Sequence, residues 1–237
     1  MKERKSLYAL TSLLFAGGLA FLLLAITITF DFGAAPMLVG NEILKQAAEQ
    51  TGASNLVTSV VLAYRGIDTL GEIAILFAAA SGVGLVLGKR QAHSKRDAAG
   101  GFILQKSAEL LFPFLLLVGF YIILHGHLTP GGGFQGGVIL AAAFFLPLLA
   151  RPGSSVNHTV LSMIEGFAGA AFIIIGLLAL MQDQSFLQPL LDKGQLGTLF
   201  SAGTLPLLYL AVGLKVGAEL SGLLANIADV DTSGASS

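Results

Sequence analysis

The sequence contains no cysteine and no tryptophan, and charged residues make up only 11% of its 237 residues. Without cysteine the chain can form no disulfide, no thiolate zinc site and no cysteine-bound iron–sulfur cluster. If the protein serves a redox complex, other subunits therefore carry the electrons. Soluble domains contain about 25% charged residues. This scarcity of charge, with 54% hydrophobic residues and a mean hydropathy of +0.82, predicts an all-α integral membrane protein.

The total charge is small as well. Lysine and arginine number 13 and the acidic residues 14, so the formal net charge is −1. Such a balance produces no overall field that would attract nucleic acid. We therefore expect no nucleic-acid partner. We also expect no bound cofactor.

Long apolar runs separated by polar segments predict about six transmembrane helices. The first run, 7–30, follows a basic N-terminus. It is too long for the core of a signal peptide, so we expect a retained helix, and cleavage near Ala34 and Ala35 is the less favoured alternative. A polar stretch with a short helix outside the bilayer follows. The later apolar runs are 54–87, 106–124, 134–150, 158–181 and 196–224.

The basic residues predict domain boundaries and an orientation in the membrane. A basic linker, 89–105, separates a two-helix module, 1–88, from a four-helix domain, 106–226, and 227–237 is predicted to be a disordered tail. Short basic loops stay on the cytoplasmic side of a membrane. Six spans then place both termini in the cytoplasm and the connection between the third and fourth spans outside.

A charged turn interrupts the second span. Arg65, Asp68 and Glu72 are spaced by three and four residues, so on a continuous helix Arg65 would meet both carboxylates. The apolar run after Glu72 is too short to cross a bilayer alone, so the span must include part of this turn. A charge inside the membrane costs about 2.5–3.5 kcal/mol on insertion scales, so Glu72 should face protein or water. A structural ion pair and a transport role both stay open.

Glu165 lies inside the otherwise apolar fifth span. A buried ionisable group needs a partner or water, and Lys215 and Lys106 are candidate partners because they lie at a similar predicted depth. We interpret Glu165 as a residue of an ion pathway. The pairs Lys106/Glu109 and Lys215/Glu219 lie near helix ends, where long side chains reach the interface, and we interpret both pairs as structural.

The connection between the third and fourth spans, 125–137, has the sequence HGHLTPGGGFQGG. This density of glycine specifies a backbone shape and is not typical of a loose linker. The Lys-Ser/Thr of a phosphate-binding loop is missing, which argues against nucleotide binding. His125 and His127 have no third ligand nearby, so hairpin shaping or a proton or sodium pathway is favoured over a metal site. The residues expected to shape the hairpin are Gly131, Gly132, Gly133, Gln135, Gly136 and Gly137.

The longer string HGHLTPGGGFQGGVILA resembles the signature of the MnhB family, the B subunit of Mrp-type multisubunit sodium/proton antiporters. The resemblance covers roughly 101–226. The segment 55–76, NLVTSVVLAYRGIDTLGEIAIL, is similar to the C-terminal part of the large Mrp A subunit. In membrane-bound hydrogenases that part occurs as a separate small subunit. Its place here, ahead of the B-like unit in one chain, is closer to those hydrogenases and their ferredoxin-dependent relatives.

The resemblance implies a transport subunit of a prokaryotic plasma membrane complex, without a catalytic site of its own. Its partners would be other Mrp-like membrane subunits and, in the hydrogenase-type complex, a hydrogenase or ferredoxin-linked arm; the ions would be Na⁺ and H⁺. Acidic side chains would lower the cost of a crossing cation, and basic ones would limit how tightly it is held. These residues are Asp68, Glu72, Glu165, Arg65, Lys106 and Lys215. A stand-alone Mrp antiporter subunit and a purely structural subunit are the alternatives.

Overall fold

In the computed structural model of the chain, the described residues are 2–29, 37–87, 101–151, 156–183 and 185–231. All regular structure in these residues is helical, which confirms the predicted fold class. Six of the described helices are long and apolar enough to span a membrane. These spans are Ser12–Thr29, Gly66–Leu87, Phe102–Leu124, Gly133–Ala150, His158–Leu180 and Leu205–Ile227.

The chain divides into two compact units, Met1–Glu42 and Ile43–Ser237. The first contains helix α1, Lys2–Thr29, whose apolar residues form the first candidate span. Helix α2, Leu38–Thr51, occupies the polar stretch for which a short helix is predicted, and it crosses the boundary between the units. The alternative cleavage site at 34–35 lies outside the described residues.

The second unit begins with an interrupted helix. Its elements are α3 (Leu56–Thr58), a π-helical turn (Ser59–Tyr64) and α4 (Gly66–Leu87). Asn55 caps α3, because its side-chain oxygen accepts a hydrogen bond of 3.1 Å from the N–H of Val57. Arg65 separates the π-helical turn from α4 and has non-helical angles, φ −124° and ψ 31°. The interruption therefore lies at Arg65.

The remaining helices form a bundle around the last one. They are α5 (Phe102–Leu124), α6 (Gly133–Ala150), α7 (His158–Leu180) and α8 (Leu205–Asp231). Helix α8 packs against α4, α5, α6 and α7, and most of its span is buried. Leu208, Val212 and Val216 of α8 share one apolar core with Ile123 of α5 and Phe172 of α7. Any charged residue near the middle of α8 must therefore find its partners inside the protein.

The start of the sixth span is later than predicted. Helix α8 begins at Leu205, although the preceding residues 196–204 continue the apolar run. Gly197, Ala202 and Gly203 have positive φ angles of 87°, 67° and 58°, which no α-helix contains. The residues before Leu205 instead form turns on the hairpin side of the bundle.

Two other predicted boundaries also shift. Helix α5 begins at Phe102, so the last residues of the linker predicted for 89–105 are helical. Helix α8 continues to Asp231, into the segment for which a disordered tail is predicted. Residues 88–100 and 232–237 lie outside the described residues.

Candidate functional site

A buried ion-pair network lies near the middle of the span formed by α8. The Nζ atom of Lys215 lies 3.3 Å from Oε1 of Glu165 on α7 and 3.2 Å from Oε2 of Glu219 on α8. Lys215 and Glu219 are buried, with exposed fractions of 8% and 5%. Their spacing of four residues places both on one face of α8, and the packing of α7 on α8 adds Glu165. These three residues are called the Glu–Lys–Glu triad below.

The triad changes two interpretations made from the sequence. Lys215 pairs with Glu165, whereas Lys106 pairs with Glu109 on α5 at 2.7 Å. The interpretation of Lys215 and Glu219 as an interfacial structural pair is wrong, because the neighbouring helices bury this part of α8. Glu219 is absent from the predicted pathway residues. Its spacing from Lys215 within an apolar helix was the signal that could have identified it.

A polar cavity of about 220 Å³ adjoins the triad. One water needs only about 10–15 Å³ of such space, so the cavity can hold several. Its walls come from the C-terminal halves of α4 and α8 and the N-terminal half of α7. The polar and ionisable lining residues are Ser81, His158, Ser162, Glu165, Glu219 and Asn226. Because His158 begins α7, the cavity extends from the triad to one end of the bundle, called the cavity end below.

Helices α4 and α7 hold the lysine of the triad in place. The Nζ atom of Lys215 lies 5.1 Å from the centroid of the Phe77 ring on α4, a distance at which the ring attracts a cation. On α7, a Cβ atom added to Gly169 would lie 3.4 Å from Cδ of Lys215. Glycine at this position therefore leaves room for the lysine side chain.

At the opposite end of the bundle, called the hairpin end, polar contacts join the two predicted modules. The side-chain nitrogen of Asn55 donates hydrogen bonds to the carbonyl oxygens of Gly126 at 2.8 Å and Thr129 at 2.9 Å. The N–H of Asn55 donates to the carbonyl oxygen of His127 at 3.0 Å. Thr58 donates to the carbonyl oxygen of Gly126 at 2.7 Å. Residues 55–58, which precede α4, thus fix the turn formed by residues 125–127, called the HGH turn below.

The two histidines of the hairpin have different surroundings. His125 is half-buried, and its ring stacks on Tyr121 with 4.1 Å between centroids. His127 is fully buried and faces the backbone of Thr198 and Leu199, yet neither ring nitrogen makes a hydrogen bond of normal geometry within the described chain. Burial disfavours the charged ring and lowers the pKa of His127. No group of three or more metal-ligating side chains occurs in the part of the chain that the structure describes.

The first glycines of the hairpin require a conformation that other residues rarely adopt. Gly131 and Gly132 precede α6 with φ angles of 157° and 133°. A Cβ atom on Gly132 would lie 2.6 Å from the ring of Tyr209 on α8. Glycine here allows the turn to lie directly against α8.

The remaining hairpin residues belong to the first turns of α6. Gly133, Gly136 and Gly137 are buried, whereas Gln135 is exposed. A Cβ atom on Gly136 would lie 2.7 Å from the carbonyl oxygen of Gly119 on α5. These glycines therefore form the face on which α6 approaches α5 and α8 most closely.

The charged turn before α4 does not join the triad. Nε of Arg65 donates to Oδ2 of Asp68 at 2.6 Å, and both side chains are exposed. Glu72 is exposed and forms no ion pair in the described residues. Contact of Arg65 with both carboxylates is expected only on a continuous helix, and here the helix breaks at Arg65. Asp68 and Glu72 lie in the first turns of α4, whereas the cavity contacts its other half.

A second ion-pair network connects α5 and α6 at the cavity end. Glu109 pairs with Lys106 and with Arg151, which follows α6. All three side chains are substantially exposed. Exposed pairs of this kind contribute little to stability. Lys106 is thus engaged away from the triad.

Comparisons with known proteins match two successive segments of the chain to two families. The profile of a family described as "Domain related to MnhB subunit of Na+/H+ antiporter" matches residues 103–222, and the profile of the MbhE family of MBH subunits matches residues 4–97. The uncharacterized protein MJ1307 of Methanocaldococcus jannaschii is 31% identical over 195 residues, which cover 70% of this chain and 74% of that protein.

Two solved structures are similar to most of the chain. One chain of the membrane-bound sulfane sulfur reductase, an archaeal respiratory membrane complex, is 38% identical with a TM-score of 0.79, and the match covers 93% of this chain and 98% of that one. A chain of the Mrp complex from Dietzia sp. DQ12-45-1b is 26% identical with a TM-score of 0.75. That match covers 95% of this chain but only 26% of the Dietzia chain.

Proposed function

This chain belongs to the family of the domain related to the MnhB subunit of Na⁺/H⁺ antiporters, and from this premise we propose that it forms part of the ion pathway of an Mrp-type module. The module would lie within an ion-translocating respiratory complex of the membrane-bound hydrogenase or ferredoxin-dependent type. The chain would contribute no catalytic site of its own. Other membrane subunits would complete the pathway, because a two-ion exchanger needs sites that can be reached from each side in turn.

The observation that carries the proposal is the Glu–Lys–Glu triad beside a polar cavity. If the ion-pair network served only to pack the helices, apolar side chains of similar volume could replace it, because such replacements often leave a protein equally stable. Here Glu165 and Glu219 line a cavity that reaches the end of α7. Ionisable residues inside a membrane are expensive and typically mark ion pathways. The triad would thus lower the energy of a cation that enters from the cavity end.

The assignment to a respiratory complex is supported by the greater similarity to that complex. The chain is 38% identical to one subunit of the sulfane sulfur reductase complex with a TM-score of 0.79, against 26% and 0.75 for the Dietzia Mrp chain. A subunit of a stand-alone Mrp antiporter is the second candidate, supported by the similarity to the Dietzia complex.

The orientation is proposed from charge. The segment 88–100 between α4 and α5 is rich in lysine and arginine, and Arg151 follows α6, so both connections are assigned to the cytoplasm. The cavity end would then face the cytoplasm and the hairpin end the outside. Asp68, Glu72, His125 and His127 stay candidates for the outer part of the route, and Arg65 would limit the affinity there. Both termini would be cytoplasmic.

The test replaces carboxylates with amides of the same shape in the intact complex. With Glu165→Gln we expect at least a tenfold lower rate of ion transport in proteoliposomes, with normal assembly. Glu72→Gln tests the outer end in the same assay. Glu109→Gln is the matched control, because it also removes a paired carboxylate from a membrane helix, but away from the cavity.

The alternative to a pathway role is a subunit that only braces larger transporting subunits. Normal transport with both Glu165→Gln and Glu72→Gln would support that alternative and contradict the proposal. Equal losses with Glu165→Gln and the Glu109→Gln control would also contradict it, because the effect would then not be specific to the triad.

A further inference from the structure

We infer that the triad, taken as the pathway site proposed above, binds a single proton and not Na⁺. The charges of the three side chains favour one bound proton. Two carboxylates share one ammonium, with Nζ of Lys215 at 3.3 Å from Glu165 and 3.2 Å from Glu219. Fully ionised, the triad carries a net charge of −1 in surroundings where an uncompensated charge is costly. One bound proton makes it neutral.

The structure also provides a position for that proton. Oε1 of Glu219 is buried and has no hydrogen-bond partner within the described residues, while Oε2 faces the ammonium. The Glu219 side chain is 2% exposed, against 22% for Glu165. A buried carboxylate oxygen without a donor favours the protonated form. Glu165 is the more exposed of the two carboxylates and also faces the ammonium of Lys215.

Other groups around Glu219 leave no place for a metal cation. Lys215 already occupies the space between the two carboxylates, so a sodium ion that reached both oxygens would lie beside an ammonium and be repelled by it. The cavity adds one further ionisable residue, His158 on α7, while α4 contributes Phe77 and Ser81, which are uncharged. Helix α6 contains no ionisable residue. A proton needs only one oxygen and enters without displacing the lysine.

Loading and release are then a simple exchange with water. A proton from water in the cavity binds to a carboxylate of the triad, and the net charge changes from −1 to zero. Release returns the proton to water and restores the charge of −1. Sodium, where the complex transports it, would cross through other subunits.

Infrared difference spectroscopy of the intact complex tests this inference. The carbonyl stretch of a protonated carboxylic acid is separate from the bands of a carboxylate. We expect such a band to appear as the pH is lowered, and to be lost in Glu219→Gln. In Glu165→Gln it should also be lost, because one carboxylate and one ammonium are already neutral together. In Lys215→Met it should grow, and in the control Glu109→Gln it should be unchanged.

Titration with NaCl at constant pH gives a readout that needs no variant. We expect the band of the wild-type complex to be insensitive to Na⁺ when compared with choline chloride. Loss of the band on addition of Na⁺ would overturn the inference, as would the absence of any band that depends on Glu165 or Glu219. A Na⁺-sensitive band together with lost transport in Glu165→Gln would refute only the proton inference. A Na⁺-insensitive band together with normal transport in Glu165→Gln would refute only the pathway role.

Discussion

At the scale of single residues, His127 links burial to protonation. Its ring is fully enclosed where the HGH turn meets the backbone of Thr198 and Leu199, and its carbonyl oxygen accepts the hydrogen bond from Asn55. A neutral ring is tolerated there, whereas an imidazolium would have neither water nor an anion beside it. The hairpin end should therefore be sensitive to acid.

The expected pH dependence has a definite sign. The pKa of His127 in the folded chain lies below the unperturbed value of about 6.5. Above that pH the imidazole is neutral in both the closed and the opened hairpin end, so the free energy of opening does not change with pH. Below it, only an opened form binds a proton, and the free energy of opening decreases as the pH falls. Hydrogen exchange of residues 125–132 and 195–204, corrected for intrinsic rates, should show less protection at acid pH.

The variant His127→Phe keeps a ring of similar size and should remove this dependence. His125→Phe is the control, since His125 is only half-buried and stacks on Tyr121. If protection decreased equally with pH in wild type and His127→Phe, burial of this imidazole would not be the cause.

The sequence predicted some of these residue contacts and missed others for a physical reason. Depth within an apolar run suffices to propose Lys215 and Lys106 as candidate partners of Glu165, because an intramembrane carboxylate requires one. It does not choose between them, and the structure pairs Glu165 with Lys215. The burial of Glu219 depends on α4 and α7 packing over α8, which no local pattern reveals. The isolation of Glu72 follows from the helix break at Arg65.

At the scale of elements, glycine determines how closely α6 packs. Gly136 lies opposite α5, where an added Cβ atom would overlap the Ile123 side chain and lie 2.7 Å from the carbonyl oxygen of Gly119. The next residue, Gly137, lies against α8, where a Cβ atom added to it would lie 2.8 Å from Cβ of Val216. Because α8 carries the triad, the glycine face of α6 also positions the ion-pair network.

Gly136→Ala should therefore force α5 and α6 apart. We expect a loss of about 1–3 kcal/mol, typical of overpacking a well-packed core. Gly71→Ala on α4 is the control, because an added Cβ atom there has nothing within 4 Å in this chain. Thermal unfolding of the purified complex compares the two. A Gly136→Ala complex as stable as the Gly71→Ala complex would show that the close approach does not limit stability.

Helix boundaries show where sequence patterns are sufficient. The C-terminal end of α5 and both ends of α6 and α7 follow, within one residue, from the lengths of their apolar runs and the polar segments between them. The start of α8 does not follow from its apolar run. Residues 196–204 continue that run but form turns, with positive φ angles at Gly197, Ala202 and Gly203. The π-helical turn before Arg65 is likewise invisible to a pattern based on hydropathy.

At the scale of the whole molecule, the two family-matched parts meet at two levels of the second unit. At the hairpin end, Asn55 and Thr58 bind the HGH turn. Near the middle of the membrane, Phe77 of α4 lies over the lysine of the triad. Both parts thus contribute to the site proposed for ion transport, because α7 and α8 carry the triad and α4 forms one wall of the polar cavity.

The account depends on water reaching the triad from the cavity end, and the absence of native cysteine allows a direct measurement. Ala218 lines the polar cavity next to Glu219, whereas Ala211, on the same helix, lines a separate apolar groove, and both are similarly buried, at 7% and 6%. Each is replaced by cysteine in the intact complex. Modification by a charged, membrane-impermeant methanethiosulfonate is then followed by mass spectrometry of this chain. The account predicts rapid modification of Ala218→Cys from the cytoplasmic side and none of Ala211→Cys. Equal modification of both variants, or of neither, would contradict it.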